Sequence, residues 1–132
     1  MPSDIERRSI VATNNKSIVY RCEPLLPYAY IKQAFAMKVD QGFMSNGCTV
    51  VIPGSDYLKP GDELIANLYI EDTGHFVRSF TLDETNVLNG ITWNVMKFTG
   101  IVYLDSRVEL HYTLPTLELC SRTQPYVVAK LS

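Results

Sequence analysis

The sequence is poor in the residues that most often carry chemistry. It holds two histidines, His75 and His111, and three cysteines, Cys22, Cys48 and Cys120. It contains no His-x-x-x-His pair, no Gly-x-Ser-x-Gly elbow and no phosphate-cradling glycine loop. Few routes to hydrolysis, zinc catalysis or nucleotide chemistry remain, so the expectation is a non-enzyme with no cofactor and no bound metal. A basic stripe is also missing. Twelve Lys and Arg stand against fourteen Asp and Glu, the formal net charge is −2, and Arg7-Arg8 is the densest cationic pair. Nucleic-acid binding needs a concentrated basic patch, so no nucleic-acid partner is expected. No run approaches the roughly 20 apolar residues of a membrane span. No apolar h-region follows Met1-Pro2-Ser3-Asp4, so no signal peptide is predicted. The expectation is a product that is cytoplasmic as synthesised, with signal-independent export left open.

The three cysteines lie 26 and 72 residues apart, which fits no zinc pattern. Buried free thiols are expected. A Cys22–Cys48 or Cys48–Cys120 bridge is the alternative, and either leaves one thiol over.

What is present suits one globular domain over 1–132. The apolar share is 46% and the charged share 20%, which excludes disorder. Eight tyrosines, five phenylalanines and one tryptophan fit a β-rich core. The runs Ser9–Thr13 and Ser17–Arg21 flank Asn14-Asn15 and read as a hairpin. From Glu23 to Gly47 the pattern is mixed. Pro24 and Pro27 hold the chain extended. Tyr30 to Val39 half fits a helical period, broken by Lys38, so irregular or extended structure is favoured over a short helix. Strands are predicted at Cys48–Ile52, Glu63–Ile70, His75–Leu82, Ile91–Met96, Val108–Leu114 and Tyr126–Leu131. Asp83 to Gly90 reads as a connection. Period-two alternation is clearest in Val108, Leu110, Tyr112 and Leu114, with Glu109, His111 and Thr113 on the other face. Seven or eight strands with turns every eight to twelve residues predict an all-β, two-sheet antiparallel sandwich.

The scaffold positions Pro27, Ala34 or Ala36, Val39-Asp40, Gly47, Val50-Val51-Ile52-Pro53, Gly61-Asp62, Val87 with Gly90, Val108-Glu109-Leu110-His111-Tyr112 and Ser121-Arg122 follow a recognisable rhythm. That rhythm resembles bacterial Ig-like β-sandwich domains, which occur as tandem repeats in large surface or secreted proteins. The resemblance covers roughly residues 24 to 131 and implies an Ig-like fold with a non-enzymatic adhesion or interaction role. It transfers no functional residues. Two departures stand out: the unit is single, and Tyr69 is the only aromatic residue in a strand where the family often carries Trp.

Candidate contacts follow from exposed-type aromatics and loop-tip polar residues. Tyr28, Tyr30 and Phe35 can stack on a sugar ring or anchor a protein, as can Trp93 if it is exposed, although core filling is the favoured role for this single tryptophan. Glu71, Asp72 and His75 gather at one hairpin tip, where a solvated turn is the simpler reading. The 25–44 segment is rich in apolar residues. It either caps one end of the sandwich, which is favoured, or forms a sticky contact surface. The leading function is a non-catalytic module binding protein or glycan, with oligomeric state open. The alternative is a small secreted toxin-like or membrane-active β protein that uses the 25–44 segment. If the alternation sets the faces, Leu110→Asp unfolds the domain by burying an unpaired charge, whereas His111→Asp is tolerated. Thermal melts of the two variants check this, and the reverse order would overturn the face assignment.

Overall fold

The computed structural model describes residues 22–98 and 100–131. In chain order its strands are β1 (Glu23–Leu26), β2 (Tyr30–Ile31), β3 (Lys38–Asp40), β4 (Cys48–Ile52), β5 (Glu63–Ile70), β6 (Gly74–Thr81), β7 (Ile91–Val95), β8 (Arg107–Leu114), β9 (Leu119–Ser121) and β10 (Gln124–Ala129). Two short helices, α1 (Gln41–Ser45) and α2 (Glu84–Asn89), interrupt them.

Alternation builds the centre of the larger sheet. Leu64, Ala66, Leu68 and Ile70 of β5 point inward, as do Val108, Leu110, Tyr112 and Leu114 of β8. The two strands run antiparallel, with Leu68 opposite Leu110 and Ile70 opposite Val108. Each such aliphatic side chain removed from water contributes about 1.5–3 kcal/mol. β6 continues the sheet and pairs with β5 through all eight of its residues. Its inner face carries Phe76 and Phe80 with Arg78 between them, and the Arg78 guanidinium stacks on the Phe80 ring at 5.0 Å.

The far edge of β8 is shared. Its first half pairs with β10 and its last two residues with β9. β1 then adds to β9, and β3 to β10, both in parallel. The larger sheet curls into a half-barrel. The smaller sheet, β2-β4-β7, is antiparallel and places Val50 opposite Trp93. Gly47 and Gly90 lie at the two ends of the β4–β7 pairing with positive φ, and a Cβ at either would collide with a neighbouring carbonyl, of Val95 or Ile52 respectively. The inner faces of both sheets share one core.

Three ties fasten the first strands to that core. The buried Tyr112 hydroxyl donates to the Pro27 carbonyl at 2.7 Å. The Tyr126 hydroxyl, on the larger sheet, accepts from the Ile31 amide of the smaller one at 3.0 Å. A disulfide joins Cys22 to Cys120 across 98 residues of sequence.

The disulfide corrects the cysteine expectation. The pair is neither of the two considered, and only Cys48 is free, buried on the inner face of β4. Spacing could not reveal this, because the bond depends on β1 lying beside β9. The two parallel edges also correct a purely antiparallel sandwich. They arise because the 23–40 segment crosses from one sheet to the other instead of folding back as a hairpin. The 30–39 stretch forms no helix: two short strands flank turns at 32–33 and 36–37, which fits the irregular or extended path expected. Asp83–Gly90 is not a plain connection: its centre is α2, where the Asp83 carboxylate accepts from the Asn86 amide and the Asn86 side chain accepts from the Asp83 amide. β9 was also missed, since three residues are too few for a pattern. The hairpin expected over 9–21 lies outside the described residues.

Closing a loop of this length with a disulfide stabilises a fold by about 2–5 kcal/mol. Reduction of Cys22–Cys120 is therefore expected to lower the urea midpoint by a corresponding amount. Thiol titration of the denatured chain should count one free thiol before reduction and three after.

Candidate functional site

Alternation on the smaller sheet turns Ile31, Val50, Ile52, Ile91 and Trp93 inward and the residues between them outward. The register then assembles two rows on the outer face. Tyr30, Val51 and Thr92 form one, and Lys32, Thr49 and Asn94 the next. Strands spaced about 4.8 Å apart make this a platform roughly 10 Å wide. Its polar half is organised. Gln33 donates through Nε2 to Thr49 Oγ1 and accepts through Oε1 from the Thr49 amide, both at 3.1 Å. Thr49 Oγ1 in turn donates to Asn94 Oδ1 at 3.4 Å. Tyr30, 46% exposed, stands beside this array. Tyr28 is exposed two residues earlier, while Ala29 and Ile31 are buried.

Beyond β2 the chain leaves the smaller sheet and makes a two-residue turn before joining the larger one. Phe35 and Lys38 exchange backbone hydrogen bonds of 2.8 and 2.9 Å. Ala36 and Met37 between them have φ of 50° and 65°. This is the turn geometry that favours Asn-Gly, because both central residues are left-handed. An Ala-Met pair in it costs roughly 1–2 kcal/mol per residue. The turn is held by the Val127 amide donating to the Met37 carbonyl and by Gln124 Nε2 donating to Met37 Sδ, both at 3.1 Å. It displays Phe35, 74% exposed, and Met37, 51% exposed. The 25–44 segment caps the core and also exposes apolar side chains. Leu26, Ala29, Ile31, Val39 and Met44 cap the core, and Leu25, Tyr28, Tyr30, Phe35, Met37 and Phe43 face out.

The remaining candidates separate. Trp93 fills the core at 6% exposure, so its ring offers no contact surface. Asp72 occupies the left-handed corner of the β5–β6 turn, with φ of 63°, a position Asp tolerates. Glu71 turns away from it and accepts from the Arg107 amide at 2.9 Å, closing the end of the β5–β8 pairing. His75 lies on the outer face of the larger sheet, with Nε2 3.1 Å from Asn67 Oδ1. His111, opposite Asn67 on β8, has its pKa lowered by burial and by the nearby His75, against the opposing pull of Glu109. Arg107 Nε meets Glu109 at 3.2 Å, and its guanidinium lies over Tyr69. Among the described residues no group of three His, Cys, Asp or Glu could hold a metal ion. The Cys48 thiol is pushed up to about 12 by burial, which leaves it protonated and unreactive at neutral pH. None of the described helices is long and apolar enough to cross a membrane.

Sequence reasoning reached Tyr28, Tyr30 and Phe35 but not Gln33, Thr49 and Asn94. The last three are 16 and 45 residues apart and meet only through the β2-β4-β7 register. Comparison with family models, curated proteins and solved structures gives no match.

Replacing Ala36 and Met37 together by Asn and Gly is expected to raise unfolding stability by about 1–2 kcal/mol, since the left-handed cost is relieved. A urea midpoint shifted upward at unchanged slope is the readout. A downward shift would show that the Met37 side chain holds more than the turn loses.

Proposed function

We propose that the chain is a non-catalytic, Ig-like interaction domain that binds a protein or a glycan, with the outer face of the smaller sheet as its contact platform. The observation that carries this reading is the juxtaposition of exposed Tyr30 with the hydrogen-bonded Gln33, Thr49 and Asn94 row. An aromatic face stacks on the apolar side of a pyranose, while fixed amides and hydroxyls take its hydroxyl groups. Because the row is already hydrogen bonded, little side-chain freedom is lost on binding.

Strand order supports the Ig-like part. The smaller sheet follows an A-B-E order in β2, β4 and β7, and the larger follows G-F-C-C′ in β9/β10, β8, β5 and β6. The 23–40 segment serves both sheets, as β2 beside β4 and as β3 beside β10. The Cys22–Cys120 bridge supports maturation in an oxidising compartment, which suits a surface or secreted role.

Tyr30→Ala and Asn94→Ala are the discriminating variants, since both side chains are exposed and neither fills the core. On a glycan array, or in a pull-down with an identified partner, wild type is expected to retain ligand. Each variant should lose about tenfold or more in affinity at an unchanged melting temperature. Full binding by both variants would remove the platform from the reading.

A further inference from the structure

From Pro24 to Val39 the only charged residues are Lys32 and Lys38. Glu23 and Asp40 bound this stretch, and the Asp40 carboxylate accepts from the Phe43 and Leu131 amides. It also carries five exposed apolar side chains: Leu25, Tyr28, Tyr30, Phe35 and Met37. The fold arranges them around the strained turn. Phe35 and Met37 stand at the corner between the two sheets. Lys32 follows β2 on one side of it, and Lys38 opens β3 on the other. Both lysines are exposed. Val127, the exposed residue opposite Lys38 on β10, continues the apolar surface.

We propose that this corner docks on an anionic phospholipid bilayer, with Phe35 and Met37 entering the headgroup–acyl boundary. Lys32 and Lys38 would meet lipid phosphates from either side, and Tyr28 and Tyr30 would lie at the level of the headgroups. The arrangement places apolar side chains at the tip, cations beside them and amphipathic tyrosines behind. That order matches the polarity gradient of a bilayer interface, where aromatic residues sit at headgroup depth and lysine stems reach out to the charged layer. Charge complementarity favours anionic lipid, because the two charged side chains beside the tip are both lysines and the next carboxylate along the chain, Asp40, is held by the Phe43 and Leu131 amides. The turn also explains its own cost. An Asn-Gly pair would relax the backbone but remove the methionine from the tip. The proposal shares Lys32 and Tyr30 with the sugar-binding platform but rests on Phe35, Met37 and Lys38, which that platform does not use, so it stands or falls without it.

Co-sedimentation with vesicles tests it. The oxidised full chain is mixed at low salt with vesicles of phosphatidylcholine alone, or of phosphatidylcholine with phosphatidylglycerol. Wild type should pellet with the anionic vesicles at least tenfold more strongly than with the neutral ones, and high salt should weaken the partition. Phe35→Ser should reduce it about tenfold. Lys38→Gln should reduce it about fivefold and flatten its salt dependence. Val77→Ser, which removes an exposed apolar residue from the distant β6 edge, should bind as wild type does. Each side chain is exposed, so urea midpoints confirm that the variants are folded. No pelleting by folded wild type, equal partition into both vesicle types, or full binding by Phe35→Ser would each overturn the proposal. Binding of the turn to a protein pocket in place of lipid would show itself as the first or third of these.

Discussion

Two buried tyrosine hydroxyls hold the arrangement together. Tyr112 and Tyr126 belong to neighbouring strands of the larger sheet, and both reach backbone groups of the first segment. That segment has little intrinsic structure: β2 is two residues long and β3 three. Its own ladder bonds cannot outweigh the entropy of fixing so many residues. A phenol serves here because it is apolar along its ring and polar at its tip, so it can cross the core and still satisfy a peptide group at the far side. Burial pushes the hydroxyl pKa of both tyrosines upward, so each remains a neutral hydrogen-bonding group at any pH near neutrality.

The same anchoring explains how a segment can both cover the core and expose apolar side chains. A chain pinned at Pro27 and Ile31 has its alternate residues committed to the core, and the others are forced outward whatever their chemistry. Tyr28 and Tyr30 are exposed by this geometry and not by their polarity. The corner turn extends the logic, since Phe35 and Met37 project from the point where the chain must leave one sheet to reach the other. Exposure of apolar side chains on so constrained a backbone avoids the ordering cost that a mobile loop would incur on binding.

Legibility of the fold in the sequence followed the length of each repeat. Leu64 to Ile70 and Val108 to Leu114 each alternate over seven residues, and the structure uses those faces as read. The β5–β6 hairpin was equally plain, because Glu71 to Gly74 supplies a turn between two long runs. Short elements were not legible. α2 is six residues long and β9 three, and each owes its existence to caps and neighbours more than to pattern. Long-range pairings were invisible for the same reason. The Cys22–Cys120 bond and the Gln33–Thr49–Asn94 row depend on which strands become neighbours, and periodicity carries no information about that. Core filling by Trp93 was legible, because Ile91, Trp93 and Val95 share one face of an alternating run, whereas the exposure of Tyr30 follows only from the register that buries Ala29 and Ile31 on either side of it.

Arg78 occupies the inner side of an edge strand that has no partner beyond it among the described residues. A second sheet edge laid against β6 would have to bury this guanidinium or pry it from Phe80. A continuous apolar stripe there would instead welcome any extended chain and seed stacking from molecule to molecule. One cation, held flat on an aromatic ring, thus marks where the sheet ends, and lets a long regular border face solvent without inviting fibrous growth.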